Sequence, residues 1–243
     1  MTAPAAPKSA DAPGLLDDLI EIWYAPSQVF ARRTKGEFLV LMLLLTVVIG
    51  ALFYASRGAF EGIMRAQMEQ AMRRNPNVTP EQLAQGRKVG EYIAIFGGFV
   101  GVPLGILILG IFVWLTAKIV GAEEFSYGQG ASVAAYSYVP RILGSALVAV
   151  QGLVMDTRSF TSPGQLTIGV ARVLPPDASP GLVQLLMRVD VFTIWSSVLI
   201  GIGICVIGRV PRTKVALAAG IIWAFGAIPS LWALMMEALK GGA

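Results

Sequence analysis

The stretch that decides the fold is GQGASVAAYSYVPRILGSALVAVQGLVM, residues 128–155. Nearly all of its residues are apolar or small, and at about 1.5 Å of helical rise per residue it is long enough to cross a bilayer with tilt. Pro140 and Arg141 lie near its middle. The proline predicts a broken helix, and a cation at that depth costs roughly 2.5–3.5 kcal/mol to insert. Arg141 is therefore expected to face protein, water or a lipid headgroup.

The composition of the whole chain is that of a membrane protein. Hydrophobic residues make up 55% of the chain, charged residues make up 14%, and the mean hydropathy is +0.67. Soluble domains carry more charge than this. Two apolar segments precede the central stretch and two follow it. The sequence predicts an all-α membrane domain over residues 38–236, with five transmembrane helices at about 38–55, 92–117, 128–155, 190–207 and 215–236.

Several functional classes are excluded by the residues that the sequence lacks. The chain has no histidine, the commonest general base and metal ligand, and its one cysteine, Cys205, lies in an apolar segment. A zinc site, Ser-His-Asp catalysis and an intrachain disulfide are therefore ruled out. No catalytic, metal-binding or cofactor-binding residue is predicted. The net charge of +4 comes from dispersed bases, which argues against nucleic acid and fits contact with anionic lipid headgroups.

The N-terminal region divides into two parts. Residues 1–13 are rich in Ala and Pro, which predicts disorder, and they lack the pattern of a cleaved signal peptide. Residues 14–37 predict two short helices, the second opening at Pro26. The first is amphipathic and either lies on the membrane surface or, as its acidic polar face favours, packs against the cytoplasmic side of the bundle. Its apolar face is formed by Leu15, Leu16, Leu19, Ile20 and Trp23. Its acidic face is formed by Asp17, Asp18 and Glu21.

Two polar excursions separate the predicted spans. Residues 56–90 are expected to form a helical hairpin outside the membrane, because Thr79-Pro80-Glu81-Gln82 carries the signals of a helix start. A methionine stripe on this hairpin serves either for packing or as a partner surface. Residues 156–189 show weak two-residue alternation over 165–174, which favours a strand or hairpin, and then a short helix after Pro180. Residues 237–243 form a tail.

The basic residues predict the topology. One short cluster, Arg32, Arg33 and Lys35, precedes the first span, and a second, Arg209, Arg212 and Lys214, follows the fourth span. Both should be cytoplasmic, and four crossings between them keep them on the same side. The prediction is a cytoplasmic N-terminus and a C-terminus on the opposite side of the membrane.

Three short stretches carry a resemblance to a known family. They are IWYAPSQVF at 22–30, AYSYVP at 135–140 and VDVFTIWSSVLIGIGI at 189–204. The order and spacing of these stretches resemble those of the YIP family, the Ypt/Rab-interacting membrane proteins. The resemblance is closer to the bacterial branch of that family. The resemblance implies five spans with a cytoplasmic N-terminus.

Eukaryotic members of that family resemble trafficking factors that bind prenylated Rab-type GTPases and shape membranes. Their Asp-Leu-Tyr-Gly-Pro box is only echoed here by Ile22-Trp23-Tyr24-Ala25-Pro26, without the Asp or the Gly. A bacterial cell is also not expected to supply a prenylated Rab. The fold is therefore expected to carry over, and Rab-type GTPase binding is not.

Arg141 is the sharpest functional candidate. It either holds a lipid phosphate, forms part of a solute path or pairs with a buried carboxylate. The structural alternative is that it caps backbone carbonyls that Pro140 frees or snorkels to an interface. Tyr136 and Tyr138 lie two positions apart and face different ways on a helix, in the core or lining a polar cavity with Arg141. Asp190 is either the N-cap of the fourth span or a partner for Arg141, and Trp195 is either packed or an interfacial anchor.

These residues suggest three functional hypotheses. The first is a non-enzymatic factor that organises the membrane or binds lipids and proteins, with a homo-oligomer built through glycine faces such as Gly97, Gly101 and Gly105. The second is a small transporter or channel with a polar path at Arg141. The third, a lipid-modifying enzyme, needs several convergent acid–base groups, and the sequence offers no such set.

Overall fold

A computed structural model describes residues 14–74, 79–156, 159–175 and 177–241. Within those ranges the chain is helical, with short 3-10 turns and no strand. The predicted disorder of residues 1–13 lies outside them. The ten α-helices of the described ranges are α1 Leu15–Glu21, α2 Pro26–Arg32, α3 Leu39–Ala55, α4 Arg57–Arg74, α5 Pro80–Ile119, α6 Tyr127–Ser137, α7 Pro140–Val154, α8 Pro180–Leu186, α9 Val191–Ile207 and α10 Val215–Gly241.

Three stretches of the described chain are helical, long and apolar enough to cross a membrane. They are Phe96–Ile119, Tyr127–Val154 and Arg212–Leu239. A fourth is present if α3 and the start of α4, which bend by 59° at Ser56, form one span. The apolar helix α9 has 17 residues and is shorter than these three stretches. The all-α membrane class predicted from composition is confirmed, with three to four spans by length and composition.

The long helix α5 joins two elements that the sequence analysis separated. Its 40 residues run from the capping box at Thr79 through the second predicted span. The Thr79 hydroxyl accepts from the Gln82 amide and the Gln82 side chain accepts from the Thr79 amide, as the sequence predicted. No proline interrupts residues 81–102, so the helix continues into the membrane segment. The Met64 side chain of α4 fills the space beside Gly90, which packs α4 against this extension.

Helices α5 and α6 make a close backbone contact in the core. A β-carbon on Gly110 would lie 2.9 Å from the Ala131 Cα, and one on Gly130 would lie 2.6 Å from the Gly110 carbonyl oxygen. Of the glycine face predicted on α5, Gly101 meets open space instead. Small residues permit this approach because the two backbones touch directly. The contact holds the broken span against the longest helix of the bundle.

One end of the bundle collects five helix termini. Gly36, just before α3, has φ +77° and would place a β-carbon 2.7 Å from the Gly128 carbonyl carbon at the start of α6. The Lys214 ammonium before α10 donates to the Val120 carbonyl after α5 at 2.7 Å. Gly208, after α9, packs on the loop between α5 and α6. The two basic clusters of the sequence therefore lie at the same end of the bundle.

The first helix faces the bundle differently from the prediction. Asp18 is completely buried, whereas Leu16 and Ile20 are 72% and 64% exposed. The prediction for α1 is confirmed for Leu15, Leu19 and Trp23, which pack on the core. It is wrong for Asp18, Leu16 and Ile20. The reason is that α2 and α6 offer Asp18 charged and hydroxyl partners, which offset the cost of burying a carboxylate.

Residues 165–174 form turns rather than the strand that their alternation favoured. Two 3-10 turns, Pro163–Leu166 and Val170–Val173, surround a single antiparallel bridge between Gly169 and Asp190. The prediction of a strand is wrong because Pro163 and Gly164 start a turn and no second strand is adjacent in the described chain. The predicted helix after Pro180 is present as α8, with Ser179 accepting from the Leu182 amide.

We expect Gly110→Ala to lower the melting temperature of the purified protein in detergent. The added methyl group would meet the Ala131 backbone, and overpacking of about 1–3 kcal/mol exceeds the roughly 0.5–1 kcal/mol that alanine gains over glycine in a helix. Gly220→Ala is the matched control, because nothing lies within 4 Å of its β-carbon position. Equal melting temperatures for the two variants would contradict the close α5–α6 contact.

Candidate functional site

The break in the central span is built by the backbone itself. Helix α6 ends at Ser137 and α7 starts at Pro140, which has no N–H to donate. The Arg141 amide donates to the Tyr138 carbonyl at 2.9 Å, and the Ile142 amide donates to the Val139 carbonyl at 3.0 Å. These tight turns already satisfy the carbonyls next to the break. The guanidinium of Arg141 is therefore not used as a cap for them.

Arg141 is exposed and is held by an aromatic ring. Its guanidinium carbon lies 4.8 Å from the centroid of the Tyr138 ring, a cation–π contact. Among the residues that the structure describes, the guanidinium forms no hydrogen bond and no ion pair. Its side chain is thus positioned, with its N–H groups still available.

Arg188 is a second arginine at this site, and the sequence analysis missed it. One of its Nη atoms donates to the Trp223 carbonyl at 2.9 Å, and the Trp223 indole donates back to the Arg188 carbonyl at 3.1 Å. The guanidinium lies against Gly226 of α10, where a β-carbon would overlap it. Its Nε is buried without a partner in the described structure. The one local signal was a base two residues before the capping Asp190.

Asp190 has the geometry of an N-cap. Its Oδ1 accepts from the Phe192 amide at 2.9 Å and from the Thr193 amide at 3.1 Å, which starts α9. Neither arginine of the site has a nitrogen within 4 Å of this carboxylate in the described chain. Two roles were considered for Asp190, the N-cap of the fourth span and a partner for Arg141. The geometry is that of the N-cap.

A groove of about 520 Å³ opens beside Arg141, between α3, α5, α7 and α9. Its walls are mostly apolar, and its polar end is formed by Tyr138, Arg141, Asp190 and Thr193. A smaller cavity of about 100 Å³ lies on the other side of Arg141, where Arg188, Ser196 and Ser197 contribute. Tyr138, Arg141 and Thr193 line both spaces. The two spaces together suit an amphiphilic molecule, because the groove is apolar and the smaller cavity is basic and rich in hydroxyl groups.

The remaining candidates lie away from the groove. Tyr136 faces the opposite way from Tyr138, as their spacing predicted, and is fully buried with its ring 6.3 Å from that of Phe30. Trp195 is half-buried and packs on the core, and its indole nitrogen is buried without a hydrogen-bond partner in the described ranges. The structure thus brings Tyr138, Pro140, Arg141 and Asp190 together and leaves Tyr136 and Trp195 elsewhere.

Tyr136 belongs to a second polar cluster, which we call the Asp18 clasp: Asp18, Arg32, Arg33 and Tyr136. The Asp18 carboxylate lies 2.7 Å from an Nη of Arg32 and 2.7 Å from Nε of Arg33, and it accepts from the Tyr136 hydroxyl at 3.1 Å. The hydrogen bond with Asp18 holds the pKa of Arg32 above its ordinary value, and a bond of Arg32 to Glu21 acts in the same direction. The clasp ties α1 and α2 to α6. Sequence reasoning missed it because it treated both arginines as a topology signal alone.

Comparison with known proteins adds the family. The Yip1 domain matches residues 20–234. This range contains the residues at the polar end of the groove and all of the Asp18 clasp except Asp18 itself. The chain belongs to the Yip1 domain family. The resemblance noted from three short motifs is confirmed.

A membrane protein of Bacillus subtilis (strain 168), YknW, is 21% identical over 220 residues, which cover 89% of this chain and 90% of the relative. No solved structure matches the chain. The Yip1 domain described here is therefore a membrane protein, like this bacterial relative.

We expect Asp18→Asn to destabilise this Yip1 domain by on the order of 2 kcal/mol. The variant leaves two arginine side chains without their carboxylate, a cost reduced by their partial exposure. Thermal unfolding in detergent and the rate of proteolysis between α2 and α3 would measure the loss.

The control for this variant is Asp17→Asn, one residue away. The Asp17 side chain is exposed and accepts a hydrogen bond from the Gly14 amide, which an asparagine oxygen can still accept. A similar loss of stability in both variants would show that the charge of α1, rather than the clasp, matters.

Proposed function

We propose that this Yip1 domain protein is a non-enzymatic, membrane-organising factor that acts by binding membrane lipid in the groove beside Arg141. The observation that carries the proposal is the groove itself. Its long apolar walls suit acyl chains, and its one exposed guanidinium at the polar end suits a headgroup. Lipid is also the one ligand always present around a bundle of this composition.

A binding role fits the groove better than a catalytic one. Acid–base catalysis needs groups that can exchange a proton near the reacting atoms. The groove offers the guanidinium of Arg141 and the carboxylate of Asp190, whose Oδ1 already accepts hydrogen bonds from two backbone amides. A guanidinium orients an anion more readily than it transfers a proton.

The proposal includes a topology of five crossings in a bacterial inner membrane. The crossings are α3, α5, the pair α6–α7, α9 and α10, with a cytoplasmic N-terminus and the C-terminus outside. The support is the common end of the bundle where Gly36, Gly128 and Lys214 meet neighbouring termini, because an even number of crossings must separate the two basic clusters found there. At 17 residues, α3 and α9 reach the lower limit of a spanning helix.

Cysteine labelling in intact cells tests this topology. In a Cys205→Ser background, a cysteine at Arg212 should react with a membrane-impermeant maleimide only after the cells are opened, because the second basic cluster is cytoplasmic. A cysteine at Asp177, between the turns and α8, should react in intact cells. Reaction of both positions from the same side would contradict four crossings before the Arg212 turn.

Native mass spectrometry from lipid nanodiscs tests the lipid-binding function. Wild-type protein should retain bound lipid, and Arg141→Ala should retain several-fold less while remaining folded, because it loses the headgroup contact. The matched control is Arg57→Ala. The Arg57 guanidinium also stacks on a neighbouring tyrosine, 4.4 Å from the Tyr54 ring, but it lies outside the groove. Equal retention by all three proteins would refute the role of Arg141.

The same spectra report on other partners. Membrane lipids are the partners that the proposal requires, and a homo-oligomer would appear as multiples of the protomer mass. Nucleic acid is not part of the proposal, and neither is a Rab-type GTPase.

A transporter or channel is the second candidate, and one observation favours it. Arg141 stands between the groove and the smaller cavity, as a residue in a solute path would. Proteoliposomes distinguish the two. Saturable uptake of an anion that Arg141→Ala abolishes would establish transport, whereas retained lipid without uptake supports the binding factor.

A further inference from the structure

We infer that the ligand of the groove is an anionic phospholipid, and that its phosphate is held between Arg141 and Arg188. This inference rests on the proposed lipid-binding function and specifies which lipid and which second arginine are involved. The argument starts from charge. In the described chain, the charged groups at the polar end of the groove and in the smaller cavity are two guanidiniums and the Asp190 carboxylate.

The carboxylate forms no ion pair with either arginine in the described chain. Its Oδ1 accepts from the Phe192 and Thr193 amides, and neither guanidinium comes within ion-pair distance of it in the ranges described. A guanidinium enclosed by protein and lipid is strongly disfavoured unless an anion or several acceptors surround it. Two such groups beside one cavity therefore leave a positive charge that an anionic ligand would compensate.

The hydrogen-bonding groups of the smaller cavity are the donors that a phosphate needs. Arg188 Nε and Ser196 Oγ are both buried without partners in the described structure, and both residues line this cavity together with Arg141. The hydroxyl of Ser197 is already used, because it donates to the Thr193 carbonyl at 2.9 Å. Free N–H and O–H donors converging on one space bind an anion of several oxygens and leave few acceptors for a cation.

Both arginines are held in place before any ligand arrives. The Arg188 guanidinium donates to the Trp223 carbonyl at 2.9 Å and lies 5.8 Å from the centroid of the Trp223 ring. The Trp223 indole in turn donates to the backbone carbonyl of Arg188. The Arg141 guanidinium is stacked on Tyr138. Side chains that are already ordered lose less conformational entropy on binding, which favours affinity.

The groove indicates that the phosphate belongs to a lipid rather than to free phosphate. The smaller cavity, which both arginines line, shares Tyr138, Arg141 and Thr193 with the apolar groove of about 520 Å³. A ligand that fills both spaces has an anionic head and a long apolar body. A phospholipid whose net charge is negative meets both requirements and, unlike a zwitterionic one, also balances the excess positive charge.

The test compares matched lipids on the full-length protein in detergent, by native mass spectrometry. The lipids are phosphatidylglycerol, phosphatidylcholine and diacylglycerol with the same acyl chains, and inorganic phosphate is the competitor. We expect phosphatidylglycerol to bind about tenfold or more tightly than diacylglycerol, since one charge-assisted contact changes affinity by that factor. Phosphatidylcholine should fall between the two.

The variants locate the phosphate. Arg188→Gln and Arg141→Gln should each weaken phosphatidylglycerol binding about tenfold and leave diacylglycerol binding unchanged. Arg57→Gln should change neither. Because Arg188→Gln also loses the Trp223 contact, Ser196→Ala is the second variant, and it should weaken phosphatidylglycerol binding selectively without touching that contact.

The outcomes separate this inference from the proposed function. Equal binding of phosphatidylglycerol and diacylglycerol, unaffected by Arg188→Gln and Ser196→Ala, would overturn the phosphate site and leave the lipid-binding groove intact. Displacement of lipid by inorganic phosphate at equal concentration would overturn the assignment to a lipid. Failure of wild type to bind any of the three lipids would overturn the proposed function itself.

Discussion

The need to pair charge inside an apolar bundle governs the arrangement of this protein. At the Asp18 clasp the requirement is met within the chain, because one buried carboxylate lies between two arginines and a tyrosine hydroxyl. At the helix break, the two arginines are only partly paired. Arg188 has one carbonyl partner, and Arg141 has an aromatic ring. Paired charges hold elements together, whereas incompletely paired ones are characteristic of binding sites.

The two polar clusters are linked through a single helix pair. Tyr136 and Tyr138 lie two positions apart near the end of α6, so one hydroxyl reaches the clasp while the other lines the groove. The close α5–α6 contact at Gly110 and Gly130 holds this segment against the core. The glycines thus have an indirect effect on function, because they determine where both tyrosines lie. A displacement of α6 would disturb the N-terminal helices and the groove together.

Local signals in the sequence predicted local structure well. The caps at Thr79, Ser179 and Asp190 are present because each depends on a side chain and a backbone amide two or three residues away. The break at Pro140 depends on a missing N–H in the same residue. Alternation over 165–174 failed as a signal because a strand needs a partner strand, and a single sequence does not show whether one is adjacent.

By itself, the sequence determined that this chain is an α-helical membrane protein, where most of its helices begin, and where its central span breaks. Composition, capping and proline act within a few residues, so no tertiary knowledge was needed for them. The tertiary structure alone decided which face of α1 is buried and which arginines share a cavity. Asp18 is hydrogen-bonded to Tyr136, 118 positions away in the sequence, and Arg188 is hydrogen-bonded to Trp223, 35 positions away. Helical periodicity identifies the faces of a helix, but the partner that each face meets depends on how distant helices pack.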